Sequence, residues 1–208
     1  APFELRNREF YVSVSIGIAA GKDDAETLLR DADLAMYRAK SQGGGRYCLF
    51  SEELAEEHQR KIETEAALSE AVQRGEFVLA LQPQLSFATG EVSGAEALLR
   101  WNHPRDGLRA PGTFIPIAEQ TGIIADIGDW VVAEVASMLA EWQSQGVKRR
   151  LSFNVSPRQL DRADFFARLR STFSDVGVPL SMVELEFTET AAMECSETVL
   201  EEIEIEMD

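Results

Sequence analysis

The chain of 208 residues has room for one large domain or two small ones, and its 45% apolar and 27% charged content is that of a globular protein with a sizeable core. A net charge of −16 argues against nonspecific nucleic-acid binding, which needs a basic face, and means that any phosphate ligand would call for divalent cations between it and the protein. Cys48 and Cys195 are the only cysteines and make no CxxC pair, so a disulfide framework is set aside and a reducing, cytoplasmic setting is expected. No run of about 18 apolar residues exists and the start does not read as a signal peptide, so no direct membrane contact is expected in this segment. The charge is uneven: ten acidic residues and no Lys or Arg fall between positions 184 and 208, which leaves −6 of the −16 for the preceding 183 residues.

In chain order, residues 10–18 alternate apolar and small polar types and read as a strand. Residues 24–40 carry Leu28, Leu29, Ala32, Ala35, Met36 and Ala39 at helical spacing, Gly43, Gly44 and Gly45 stop that helix, and residues 46–50 read as a second strand. Residues 51–74 are polar with a thin apolar stripe of Leu54, Ile62, Ala66, Leu68 and Val72. Ser51 is a plausible N-cap and Gly75 a plausible stop, which makes this a helix joining two domains. The stripe leaves a homodimer open without specifying a coiled coil, and His58 is expected on the solvent side.

Residues 77–85 read as a strand, and Gly90 turns the chain into a further strand over residues 92–101. His103 is an acid–base candidate, but its place in His-Pro-Arg-Asp-Gly favours a loop role. Thr113 is expected to cap a short helix with Phe114, Ile117 and Ala118, closed by Gly122. Residues 126–145 form an amphipathic helix whose stripe of Ile127, Val131, Val135, Met138, Leu139 and Trp142 is packing. A strand at 150–155, a helix at 159–175 and a strand at 183–187 complete an alternation that indicates parallel βαβ units.

Within the 92–101 strand, Glu96 is a carboxylate in an apolar run, costly to bury unless something cationic meets it. Arg100 is one candidate partner, but residues four apart on a strand are about 13 Å apart, so a metal ion serves better.

Glu96-Ala97-Leu98-Leu99-Arg100-Trp101 resembles the signature of the EAL family of cyclic di-GMP phosphodiesterases. Leu81-Gln82-Pro83 upstream resembles the family's first strand, and Phe114-Ile115-Pro116-Ile117-Ala118-Glu119, Phe153-Asn154-Val155-Ser156 and Leu185-Glu186-Phe187-Thr188-Glu189-Thr190 follow in the family's order. Ala32 to Lys40 is similar to the last helix of a GGDEF diguanylate cyclase domain, without the Gly-Gly-Asp-Glu-Phe loop and with Gly44 where an Arg is common. The resemblance implies an α/β chain: the C-terminal part of an α/β GGDEF domain over residues 1–50, a helical linker over 51–74, and over 75–208 the N-terminal half of an EAL domain, a partial TIM-type (β/α) barrel.

Functional side chains of such barrels gather at the C-terminal ends of the strands. Glu96, Asn154 and Glu186 fall at or inside three predicted strands, and two carboxylates with one amide suit Mg²⁺ or Mn²⁺ rather than zinc. A buried turn amide for Asn154 and a surface carboxylate for Glu186 are the plain alternatives. By resemblance these three are the metal ligands, Glu96 and Glu189 the catalytic glutamates, with Glu189 supporting an active-site loop, and Gln82 and Arg100 contact the substrate. The implied reaction is hydrolysis of cyclic di-GMP to pGpG, with GTP as a further ligand candidate at the upstream domain. Lys40 could reach a phosphate but reads more simply as a solvated lysine near a helix C-terminus, and no cyclase activity is expected of these residues. The family's Asp-Asp-Phe-Gly segment does not occur in the 208 residues, so the expectation is that they are inactive alone and that the activity belongs to a longer parent. A catalytically inactive receptor for cyclic di-GMP is the other reading.

Overall fold

The computed structural model describes residues 3–5, 8–21 and 24–187, and the chain divides into two compact units, residues 1–63 and 64–208. In the first, β1 (Phe3–Leu5) pairs antiparallel with β2 (Arg8–Phe10), and β3 (Ile16–Ile18) pairs parallel with β4 (Tyr47–Leu49) across the helix α1 (Ala25–Ser41). The helix starts where Asp24 caps it, its Oδ1 accepting the Thr27 amide at 3.0 Å. It lies so close to β3 that a Cβ at Gly17 would stand 1.8 Å from the Ala32 carbonyl oxygen. The single strand expected over 10–18 is instead two short ones. Tyr11, Val12 and Val14 continue the alternation but are largely exposed, and pairing with β4 covers only residues 16–18.

Helix α2 (Glu52–Ala71) follows Ser51, whose Oγ accepts the Leu54 amide at 3.3 Å, and the chain leaves it through Gly75 at φ 64°. Its last turns bury Thr64, Leu68 and Ala71. His58 is half-buried rather than solvent exposed.

The second unit holds β5 (Phe77–Leu85), β6 (Val92–His103), β7 (Gly107–Arg109), α3 (Ile115–Thr121), α4 (Ile124–Ser144), β8 (Arg150–Asn154), α5 (Pro157–Leu160), α6 (Phe165–Asp175) and β9 (Val183–Glu186). The sheet order is β5-β6-β8-β9, with β7 paired to β6. Strands β6, β8 and β9 are parallel, as the alternation with helices requires, whereas β5 is antiparallel to β6. The loop between β5 and β6 is too short for a crossover, so a hairpin is the available connection. The architecture is the first part of a β/α barrel.

Alternation along the strands sorts the two faces. Ala95, Ala97 and Trp101 of β6 and Leu151 and Phe153 of β8 are buried against Ile127, Val131, Val135 and Leu139 of α4 and Phe165, Phe166, Leu169 and Phe173 of α6. The indole of Trp101, fully buried, keeps its polar atom satisfied by donating to Glu76 Oε2 at 2.9 Å. His103, 4% exposed, is the last residue of β6 rather than a loop residue, and its Nδ1 accepts the Asp106 amide at 3.1 Å in the turn to β7. Thr113 does not cap α3. Its hydroxyl donates to the Ala110 carbonyl at 2.7 Å within a 3-10 turn over Pro111–Thr113, and Phe114 stands at the helix start. The helix expected over 159–175 breaks into α5 and α6 at residues 161–164, where the Asp164 carboxylate pairs with Arg162 and Arg168.

Candidate active site

The face of the sheet opposite the helices carries the polar residues. Strand register places Gln82 of β5 opposite Glu96 of β6, and Glu96 opposite Ser152 of β8. Two residues further along β8, on the same face, Asn154 is the register partner of Glu186 on β9. Adjacent parallel strands are about 4.8 Å apart, so these side chains leave the sheet as neighbours.

The Asn154 amide Nδ2 donates to Glu96 Oε1 at 2.8 Å, joining two of the residues singled out by the sequence. Arg100 is not the partner of Glu96: it shares the face at strand spacing, but its guanidinium donates to the Leu99 carbonyl at 2.8 Å. Gln82 is exposed on the rim strand, and Glu186 and Arg100 are half-buried. Glu189 lies outside the described residues, as do Thr188, Thr190 and Cys195.

No cluster of three or more His, Cys, Asp or Glu occurs among the described residues. A cation at this face therefore depends on the Asn154 amide completing the carboxylates of Glu96 and Glu186. That donor set fits a hard divalent ion: it is all oxygen once the amide makes a half-turn to present Oδ1.

Beside Asn154 lies a cavity of about 440 Å³ with Leu98, Ile115, Glu119, Ile127, Val155 and Phe187 in its lining. It is apolar apart from a few oxygen and amide groups, the character of a small-molecule pocket. Sequence reasoning passed over Ser152 and Gln84. Ser152 is 1% exposed and its Oγ accepts Gln84 Nε2 at 3.2 Å. The signal was available, because Ser152 is in phase with Asn154 on an alternating strand.

Asn154 and Glu186 end β8 and β9, and Glu96 stands beside them within β6, in a partial β/α barrel, a fold whose functional groups collect at the C-terminal ends of the strands. The chain belongs to the EAL domain family, whose model matches residues 65–206, and the model of the diguanylate cyclase GGDEF domain matches residues 1–46. It is 33% identical over 206 residues to the cyclic di-GMP phosphodiesterase PdeR of Escherichia coli, covering 98% of this chain and 31% of that protein. It is 35% identical over 209 residues to the bifunctional diguanylate cyclase/cyclic di-GMP phosphodiesterase MucR of Pseudomonas aeruginosa, covering 97% of this chain and 30% of that one. The solved PaMucR phosphodiesterase in complex with c-di-GMP superposes with a TM-score of 0.65 at 33% identity, over 69% of this chain and 60% of that chain. The chain thus spans about three tenths of the length of these curated relatives.

Proposed function

We propose that this site, in the protein that carries it, hydrolyses one phosphodiester bond of cyclic di-GMP to give pGpG with Mg²⁺ or Mn²⁺. The observation that carries the reading is the Glu96–Asn154 contact at 2.8 Å with Glu186 in register beside it. Glu96, Asn154 and Glu186 would hold the cation, which when bound lowers the pKa of a water toward neutrality and offsets phosphate charge. Glu96 opposite Gln82 orients the polar rim, and the planar Arg100 guanidinium four residues along the same face suits a phosphate oxygen. The largely apolar cavity beside Asn154 offers room for an apolar part of the ligand on that flank. By the family resemblance, Glu189 would be the glutamate that supports the neighbouring active-site loop. No covalent nucleophile is required.

The domain layout that goes with this function is the end of a GGDEF domain over 1–50, a helical linker over 51–74 and an EAL domain from 75 onward, in a cytoplasmic protein. Among the described residues no helix is long and apolar enough to cross a membrane. The test is turnover of cyclic di-GMP by the full-length protein with Mg²⁺ or Mn²⁺, followed by chromatography of pGpG. Product formation that Glu96→Ala abolishes supports the reading. Tight calorimetric binding without pGpG would make the protein a receptor instead.

A further inference from the structure

We propose that Gln84 and Ser152 are positioning residues for Glu96, forming a polar strut that ties β5 to β8 across β6. This rests on the phosphodiesterase reading for its purpose but on separate observations for its existence. The Gln84 amide donates to Ser152 Oγ at 3.2 Å, although β6 lies between their two strands. The crossing is possible because the residue between them is Gly94. A Cβ there would stand 3.3 Å from Gln84 Oε1 and 2.7 Å from the Arg150 carbonyl oxygen. The β5–β6 register also shifts between Gln84 and Leu85, and a bulge re-aims the side chain beside it. A side-chain gap, a bulge and a buried hydroxyl together make one hydrogen bond.

The strut meets the row that holds Glu96. Ser152 is the register partner of Glu96 and precedes Asn154 by two residues on the same face, and Gly94 precedes Glu96 by two. Fixing Gln84 to Ser152 therefore fixes the relative height of β5, β6 and β8 where Glu96 meets Gln82 on one side and Asn154 on the other. Ser152 is 1% exposed, where an apolar residue would serve packing better, and a hydroxyl buried there must be satisfied. The strut bonds no ligand itself and acts through strand register, so its effect belongs at the lower end of the about 10- to 100-fold in metal affinity that partners of metal ligands are worth.

The experiment is a double-mutant cycle on the full-length protein with Ser152→Ala, Gln84→Ala and both, reading Mn²⁺ affinity by calorimetry, thermal melting, and pGpG release. Each single variant is expected to weaken Mn²⁺ about tenfold, and the double variant to lose no more than either, because both remove one strut. An affinity within about twofold of the wild type in either single variant overturns the proposal, as do losses that multiply in the double variant or that vanish at equal folded fraction. Wild-type protein that binds Mn²⁺ but releases no pGpG sinks the phosphodiesterase reading alone, while the cycle still decides the strut. Wild-type protein that binds no Mn²⁺ overturns both.

Discussion

Asn154 and Glu96 stand 58 positions apart in sequence and 2.8 Å apart in space, amide nitrogen to carboxylate oxygen. Glu96→Gln keeps the shape of the side chain and removes its charge, so the sheet should fold as before while cation binding suffers. Losing one anionic ligand, taken as about 4 kcal/mol of transition-state stabilisation, corresponds to about 10³-fold in turnover. Steady-state kinetics beside a circular-dichroism melt separates the two effects. A variant that melts early and turns over normally would contradict the assignment.

Trp101 closes the same strand with a purely structural bond. Its buried indole donates to Glu76 Oε2 at 2.9 Å, so Glu76→Ala strands a donor and should cost about 1–3 kcal/mol in urea unfolding. Trp101→Ala should cost about 3–5 kcal/mol by opening a cavity among Phe77, Phe114 and His103, whose rings lie within 6.1 Å of it.

Much of this was legible in the residues. The apolar, strand-like runs over 77–85 and 92–101 located both strands of the hairpin, and the apolar stripe of α4 named Ile127, Val131, Val135 and Leu139, all of them buried. What escaped was long-range. The antiparallel setting of β5 follows from its short connection to β6, whereas the expectation of parallel units came from the strands and helices after it. Residues 11–15 satisfy strand periodicity without a register partner, because periodicity reports side-chain type and not the presence of a neighbouring strand. The break between α5 and α6 hides in a continuous apolar stripe; α5 ends at Leu160 and α6 starts after Asp164, whose carboxylate pairs with Arg162 and Arg168 rather than with the backbone. Residue types and motif order marked Glu96, Asn154 and Glu186 as one set; the direct contact between the first two came only with the register.

Gly128 is a third close approach, after Gly17 and Gly94. A Cβ there would stand 1.8 Å from Gln159 Nε2 and 2.6 Å from its Cδ, and Gln159 is 5% exposed with its Oε1 accepting the Ser156 amide at 3.0 Å. Gly128→Ala should therefore displace that side chain, uncap α5 just after Asn154, and destabilise the second unit by about 1–3 kcal/mol. Denaturant unfolding measures it, and an unchanged midpoint would show that the helix pair has room to part.

Acid sensitivity should appear at α1. The Thr27 amide, and then its hydroxyl, bond Asp24 and hold its carboxyl below the ordinary value of 3.8. A depressed folded pKa gives a contribution that is present above the unfolded value and fades as pH falls through the folded one. Asp24→Ala should lower melting at neutral pH and lose that difference as the pH falls from the ordinary carboxylate value through the lowered folded one. Parallel melting curves of the two proteins across the whole acid range would rule the cap out as the source.

The account turns on whether Glu96, Asn154 and Glu186 share one cation. Anomalous diffraction from crystals of the full-length protein soaked in Mn²⁺ tests this most directly. The expected result is a peak about 2–2.3 Å from oxygens of all three side chains, lost on Glu96→Ala. A peak bound elsewhere, or one that keeps its place without Glu96, contradicts the account.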